Sequence, residues 1–215
     1  MEKPVRIVGM GGSMAESSSS LRALKLALEG AKEAGAQIEL LDIRTLSLPF
    51  YVPGTRAVPE PVRLLVTMVY EADGLIWSSP LYHGTISGVF KNALDWLDLL
   101  EQRDPVHLTD KVIGLISTAA GTQGLQAINT MEFVVRALRG WAVPLVVPIS
   151  RARKTFDACG HVLDPEVESR LRSLGREVWR VARQFRLRQL GNPAEKPESA
   201  EPAVLSLRAG SVGVQ

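Results

Sequence analysis

Val5-Arg6-Ile7-Val8-Gly9-Met10-Gly11-Gly12-Ser13-Met14-Ala15-Glu16-Ser17-Ser18-Ser19-Ser20-Leu21 is the stretch that decides the fold. Its first residues form a short, near-continuous apolar run, the length of a strand buried on both faces. A glycine- and serine-rich loop follows, and then Leu21, Leu24, Leu28 and Ala31 recur at three and four residues, the stripe of a helix with one buried face. Strand, tight loop and helix in that order make the first half of a β-α-β unit.

The same alternation repeats along the chain. Apolar runs at 38–43, 74–78, 112–117 and 143–149 predict four more strands. Between them Leu65, Met68, Val69 and Ala72 carry the helical period, as do Ile128, Met131, Val135 and Leu138. Five strands alternating with helices, joined by right-handed crossovers, predict a three-layer α/β/α domain. The expected form is flavodoxin-like, a five-stranded parallel sheet in the order 2-1-3-4-5, with ligands beyond the carboxyl ends of the first, third and fourth strands. A last helix from Pro165 to about Leu190 stops at Gly191-Asn192-Pro193. Its many arginines are interspersed with Glu166, Glu168 and Glu177, which reads as a solvated face rather than a nucleic-acid surface.

Composition agrees with one such domain, 1–191, and an appendage. The chain has 215 residues, 46% hydrophobic and 22% charged, with a net charge of +2, which argues against bulk nucleic-acid binding. Residues 192–215 turn to Ala, Pro, Glu, Ser and Gly without aromatics and read as a flexible tail. The single cysteine, Cys159, cannot form an internal disulfide. No run reaches the ~18 apolar residues of a membrane span. A cytoplasmic protein is expected, without membrane or nucleic-acid partners.

The first loop offers glycines for a tight turn, hydroxyls, and the free amides of a helix start, a combination suited to a phosphate. A dinucleotide fingerprint would need a third glycine where Met14 stands, a nucleotide-triphosphate loop would need Gly-Lys-Ser/Thr, and a tyrosine-phosphatase loop would need an Arg where Pro165 follows Cys159. His83, His107 and His161 lack carboxylates at metal-ligand spacing, so no metal site is expected. Trp77 and Trp96 read as core, Asp42 as a helix cap, and Lys91 with Asp95 as an i,i+4 pair.

The third loop reads Ser78-Ser79-Pro80-Leu81-Tyr82-His83-Gly84-Thr85-Ile86-Ser87-Gly88-Val89-Phe90-Lys91-Asn92-Ala93-Leu94-Asp95-Trp96. A rigid proline, an aromatic and small residues opening a helix suit a planar heterocycle. Here the chain resembles the NADPH-dependent FMN reductase family, whose loop typically reads Pro-Glu-Tyr-Asn before a helix beginning Gly-x-Leu-Lys-Asn-Ala-Ile-Asp. Gly12-Ser13 with Ser18 and Ser20 resembles the family's phosphate loop. Leu48-Pro49-Phe50-Tyr51 resembles its apolar segment near the ring and the neighbouring subunit. The stretch from Ser117 to Gly124 resembles the loop at the pyrimidine edge of the flavin.

The resemblance implies FMN held by Ser13, Ser18, Ser19, Ser20, Pro80, Leu81, Tyr82, His83, Gly84, Ser117, Ala119, Ala120, Gly121 and Gln123. It further implies NADPH or NADH as hydride donor, a second small-molecule acceptor (flavin, quinone, azo compound or metal oxyanion), and a homodimer or homotetramer. No catalytic side chain is implied, because the flavin carries the chemistry. Two departures stand out. The family's phosphate-gripping Arg is replaced by Ala15, and its loop Glu and Asn are Leu81 and His83. The rival reading is a non-enzymatic FMN module for electron transfer or redox-responsive interaction, which direct NAD(P)H oxidation would separate from a reductase.

Overall fold

The computed structural model describes residues 3–157 and 160–191. Cys159 and the expected tail at 192–215 therefore lie outside the described residues. The chain runs β1 (Arg6–Gly11), α1 (Ser19–Glu33), β2 (Gln37–Asp42), α2 (Ile43–Leu46), α3 (Glu60–Glu71), β3 (Gly74–Tyr82), β4 (Thr85–Ile86), α4 (Gly88–Asp95), β5 (Val112–Thr118), α5 (Leu125–Ala137), β6 (Trp141–Ile149) and α6 (Pro165–Gly191). Short 3-10 turns follow α4 at Trp96–Leu100 and β6 at Ala152–Lys154.

Five strands pair in parallel in the order β2-β1-β3-β5-β6, which is the expected 2-1-3-4-5 row. A sixth strand was not foreseen: β4 pairs antiparallel to the end of β3. It exists because β3 continues through Ser79 and Pro80 to Tyr82 instead of ending at Ser78. Proline normally breaks a central strand by withholding an amide. The ladder to β1 has already ended at Ser78, however, so at Ser79 and Pro80 β3 is paired with β5 alone and Pro80 is tolerated there. The last strand likewise starts earlier than expected, at Trp141, and holds Pro144 and Pro148 because it is a sheet edge.

Apolar side chains fill both faces of the sheet. One layer joins Trp77, Phe90, Trp96 and Met131 with α3, α4 and α5, and the other joins Ile7, Leu24, Ile76 and Leu174 with α1 and α6. Trp77 and Trp96 are core, as expected; the Trp77 ring meets Phe90 edge-on at 6.0 Å. Several arginines of α6 find partners on the protein: Arg172 bridges Glu29, Glu33 and Glu168, Arg186 pairs with Asp73, and Arg183 lies over the Trp179 ring. No described helix is long and apolar enough to cross a membrane.

Lys111 stands just before β5, at the amino end of the sheet. Its Nζ donates to the carbonyls of Tyr70 (2.5 Å) and Ala72 (2.7 Å) at the end of α3, a helix with no cation in its own last turn. Burial lowers its pKa from 10.5 to about 8, against the pull of Asp73 and Asp110. A lysine whose folded pKa is lowered sheds its proton earlier in the folded chain than in the unfolded one. Its burial cost is thus complete below pH ~8 and relieved between ~8 and ~10.5. Urea unfolding at pH 7.5 and 9.5 should show wild type gaining up to ~2 kcal/mol relative to Lys111→Met over that interval. Parallel pH profiles for the two proteins would contradict this.

Candidate cofactor site

The loop at 12–20 is fastened to the molecule before any ligand is considered. The Gly12 amide donates to the Ser78 carbonyl (2.9 Å), and the Gly12 carbonyl accepts from Ser87 Oγ (2.6 Å). A Cβ on Gly12 would stand 2.5 Å from Phe90 Cβ, so only glycine fits between β1 and α4. Ser18 is the N-cap of α1, and its Oγ accepts from the Leu21 amide (3.2 Å) while lying 2.9 Å from Ser20 Oγ. Ser78 Oγ donates to the Ser20 carbonyl (2.8 Å), and Ser13 Oγ accepts from the Ala15 amide (3.2 Å).

One serine of the run therefore caps the helix, and the others are arranged around its mouth. Ser13, Ser18 and Ser20 are buried, Ser19 is half-buried, and Met14 and Ser17 are exposed. The first-turn amides of Ser19 and Ser20 have no carbonyl within the helix to bond, and the positive end of the helix dipole faces the same space. No acidic side chain occupies that first turn. Attraction for an anion here comes from amides, hydroxyls and the dipole rather than from a fixed cation, because Ala15 and Glu16 supply none.

The second wall is a hairpin. Leu81 pairs with Ile86 and Tyr82 with Thr85, leaving His83 (φ 50°) and Gly84 (φ 88°) as a two-residue turn with both backbones left-handed, a type I′ turn. Such a turn favours Asn-Gly, and histidine shares asparagine's tolerance of positive φ. This accounts for His83 standing where the family has Asn: the backbone shape is required, and the side chain is secondary. The hairpin leans on α5, where Thr85 and Thr130 hydroxyls lie 3.2 Å apart. Pro80 is buried, Leu81 half-buried, and Tyr82 exposed at the rim.

The third wall follows β5. Ala119 is buried and its amide donates to the Ile149 carbonyl (2.8 Å), while Ala120, Gly121, Thr122 and Gln123 are exposed. Ser117 is fully buried and its hydroxyl donates to the Gly124 carbonyl (2.6 Å), so it shapes the loop and spends its donor there. The Gly121 carbonyl accepts from the Arg151 amide and that of Ala119 from the Ala152 amide, both at 2.9 Å, bracing the loop from beyond β6.

A flat ring fits this frame. At Gly88 and Gly121 nothing lies within 4 Å of where a Cβ would stand, so backbone at the start of α4 and in the loop after β5 fronts open space. Three loops ending adjacent parallel strands thus converge with amide donors and almost no charge, the donor set for a phosphate at one end and a polar-edged heterocycle at the other. A depression of about 510 Å³ lined by Val135, Arg136, Arg139, Trp141 and Pro144 lies at the amino ends of the strands and belongs to none of these loops.

Sequence reasoning missed the residues that hold the loops. Ser78, Ser87 and Asn92 touch backbone rather than ligand space, and Asn92 together with Trp96 clamps the Pro49 carbonyl and the Tyr51 amide. Ser87 carried a signal, a serine one residue before a glycine-opened helix, and it is indeed the N-cap of α4. Asp42 caps α2, and Lys91 pairs with Asp95, as expected. Among the described residues no cluster suited to a metal is present.

The sheet order and its flanking helices define a flavodoxin-like protein. Residues 5–154 match the sequence profile of the NADPH-dependent FMN reductases, and the chain belongs to that family. It is 30% identical over 190 residues to an NADPH:quinone oxidoreductase of Arabidopsis thaliana, covering 79% of this chain and 88% of the relative. It is 30% identical over 209 residues to the NADPH-dependent FMN reductase ArsH of Acidithiobacillus ferrooxidans, covering 93% and 84%. Among solved structures, the flavoenzyme FerB of Paracoccus denitrificans superposes with a TM-score of 0.70 at 20% identity, covering 84% of this chain and 98% of that one, which speaks to the fold. The chain is accordingly an FMN-dependent NAD(P)H oxidoreductase.

Proposed function

We propose that the FMN phosphate is held by the loop at 12–20, through Ser13, Ser18, Ser19 and Ser20 and the amides opening α1. In this reading the ring lies between Pro80, Leu81 and the Tyr82–Gly84 turn on one side and Ala119, Ala120, Gly121 and Gln123 on the other, with Ser117 setting that loop's shape. The observation that carries it is the convergence of three mutually braced, nearly uncharged loops at the carboxyl ends of β1, β3 and β5. FMN, when bound, supplies the acceptance of hydride from NAD(P)H and its onward delivery. The residues of the chain bind and orient: the amides of 82–84 and 119–123 offer donors to the polar edge of the ring, and the Tyr82 side chain bounds the open face.

The acceptor fits best as a planar quinone or a free flavin. Phe50 is 87% exposed, and Val52 and Tyr82 are exposed as well, so the chain offers apolar surface to a flat partner. The quinone-oxidoreductase names carried by relatives support the same class. Exposed Phe50, Leu125 and Phe133 further support a homo-oligomer that covers these side chains, and a single cysteine suits a reducing cytoplasm.

Replacing Ser13, Ser18 and Ser20 together with Ala should weaken FMN binding ~100-fold or more, since hydrogen bonds to a charged group are strong. Far-UV circular dichroism should stay unchanged despite the lost cap. Flavin retained at wild-type affinity would overturn the phosphate assignment.

A further inference from the structure

The segment after β6 carries three cations that the fold itself does not use. Arg151, Arg153 and Lys154 are exposed, and none makes an ion pair with another described residue. Ala152, Thr155 and Phe156 between and after them are buried, so the backbone is anchored while the charged side chains face outward. Arg151 has a left-handed backbone (φ 50°), unusual for a long side chain, and such outliers persist where surrounding structure enforces them. Two hydrogen bonds enforce it here: the Arg151 amide to the Gly121 carbonyl and the Ala152 amide to the Ala119 carbonyl, each 2.9 Å. The nearest acidic side chain in the segment, Asp157, is already engaged with His161 at 3.0 Å. The three cations are therefore fixed to the very loop assigned to the edge of the flavin ring.

Their position selects the anion. In the row β1-β3-β5-β6 they stand three strands from the phosphate loop, roughly 14 Å at ~4.8 Å per strand. The FMN phosphate at 12–20 lies at one end of the ring, and the cations lie past the other. A nicotinamide stacked on the ring must project its adenosine half outward from the cleft, and the cationic end offers its phosphates a countercharge. Arg56, an exposed cation that makes no ion pair with another described residue, follows β2 at the opposite end of the row.

We propose that Arg151, Arg153 and Lys154 form the site for the adenosine 2′-phosphate of NADPH, and so set the preference of this chain for NADPH over NADH. The dianionic monoester is the group that separates the two donors, and guanidinium forks suit it. This assignment rests on the cofactor placement proposed above.

The test compares wild type with Arg151→Asn/Arg153→Ser/Lys154→Ser, in which Asn preserves the left-handed backbone, and with Arg56→Ser as the control. Calorimetric titration of 2′,5′-ADP into the FMN-supplemented protein should show binding weakened ~10- to 100-fold in the triple variant, with 5′-AMP unaffected. In steady state KM for NADPH should rise by a similar factor, with kcat, KM for NADH and FMN affinity within about twofold of wild type. Arg56→Ser should match wild type throughout. Equal losses for NADPH and NADH, loss of FMN instead, or no change in the triple variant would each overturn the proposal. Wild type that binds no FMN would refute the cofactor placement separately, and 2′,5′-ADP binding to the flavin-free chain would still decide the role of the three cations.

Discussion

Gly175→Ala should lower the melting temperature by ~10 °C, the largest effect expected of any single methyl group in this chain. A Cβ at Gly175 of α6 would stand 1.8 Å from the Ala27 carbonyl oxygen of α1, and one at Gly30 of α1 would stand 2.2 Å from the Arg172 carbonyl oxygen of α6. The two helices thus cross backbone to backbone at a reciprocal pair of glycines, flanked by Ala23, Ala27 and Ala31. A glycine inside a helix costs ~1 kcal/mol relative to alanine, so alanine would gain that much if space allowed. The obstructing atoms are backbone and cannot rotate away. Prising the helices apart also disturbs Leu24, Leu28, Leu171 and Leu174 in the layer beneath. Overpacking at that depth should leave a net loss of ~3 kcal/mol or more, which for ~200 residues shifts Tm by about 10 °C. Thermal unfolding followed by circular dichroism reads this directly. An unchanged or raised Tm would show that the crossing is looser than described.

Gly12→Ala should separate cofactor binding from folding. Its Cβ would meet Phe90 Cβ, Cδ2 and Cγ at 2.5, 2.6 and 2.8 Å. Phe90 is wholly buried against Trp77 and starts from a helix whose cap, Ser87, holds the Gly12 carbonyl. Neither side can yield alone, so the loop must lift off α4 and carry Ser13 with it. FMN affinity should fall ~100-fold, equal to the loss of a couple of charge-assisted hydrogen bonds. The global loss of stability should be only ~1–3 kcal/mol. Gly88→Ala, at a position with open space around it, gives the contrast: its stability should equal that of wild type or exceed it. If Gly12→Ala binds FMN as tightly as wild type, the loop at 12–20 is not the phosphate site.

Much of the frame was legible in the sequence because a doubly covered parallel sheet writes strands as apolar runs and crossovers as three-and-four stripes. The runs at 38–43, 74–78, 112–117 and 143–149 became β2, β3, β5 and β6 to within a few residues at either end, and the helix expected from Pro165 to about 190 became α6. What stayed hidden depends on partners distant in sequence. Pro80 read as part of the loop after a strand ending at Ser78, because local rules cannot see that the β1 ladder has already stopped there. β4 is two residues long and leaves no periodicity. The backbone of His83 stayed hidden too, because its conformation follows from a turn needing two left-handed residues. At the candidate site, the family's motifs pointed to the three loops that the structure brings together at the carboxyl ends of β1, β3 and β5. The roles of Ser78, Ser87 and Asn92 were not legible, because their work is to bond backbone of other loops. The four-serine run was read as more than a cap, and the geometry gives the cap to Ser18 while setting Ser20 beside it.

The substitution of Ala15 for the family's arginine makes one measurement decisive, since the proposed site would hold FMN through neutral donors and a helix dipole. The purified protein should be titrated with FMN and then given NADPH without oxygen, with the visible spectrum recorded throughout. Saturable binding with shifted flavin bands, followed by bleaching on a catalytic timescale and recovery when a quinone is added, is the expected result. Flavin that stays unbound, or binds and is not bleached by either NADPH or NADH, would contradict the assignment of the three loops as an FMN reductase site.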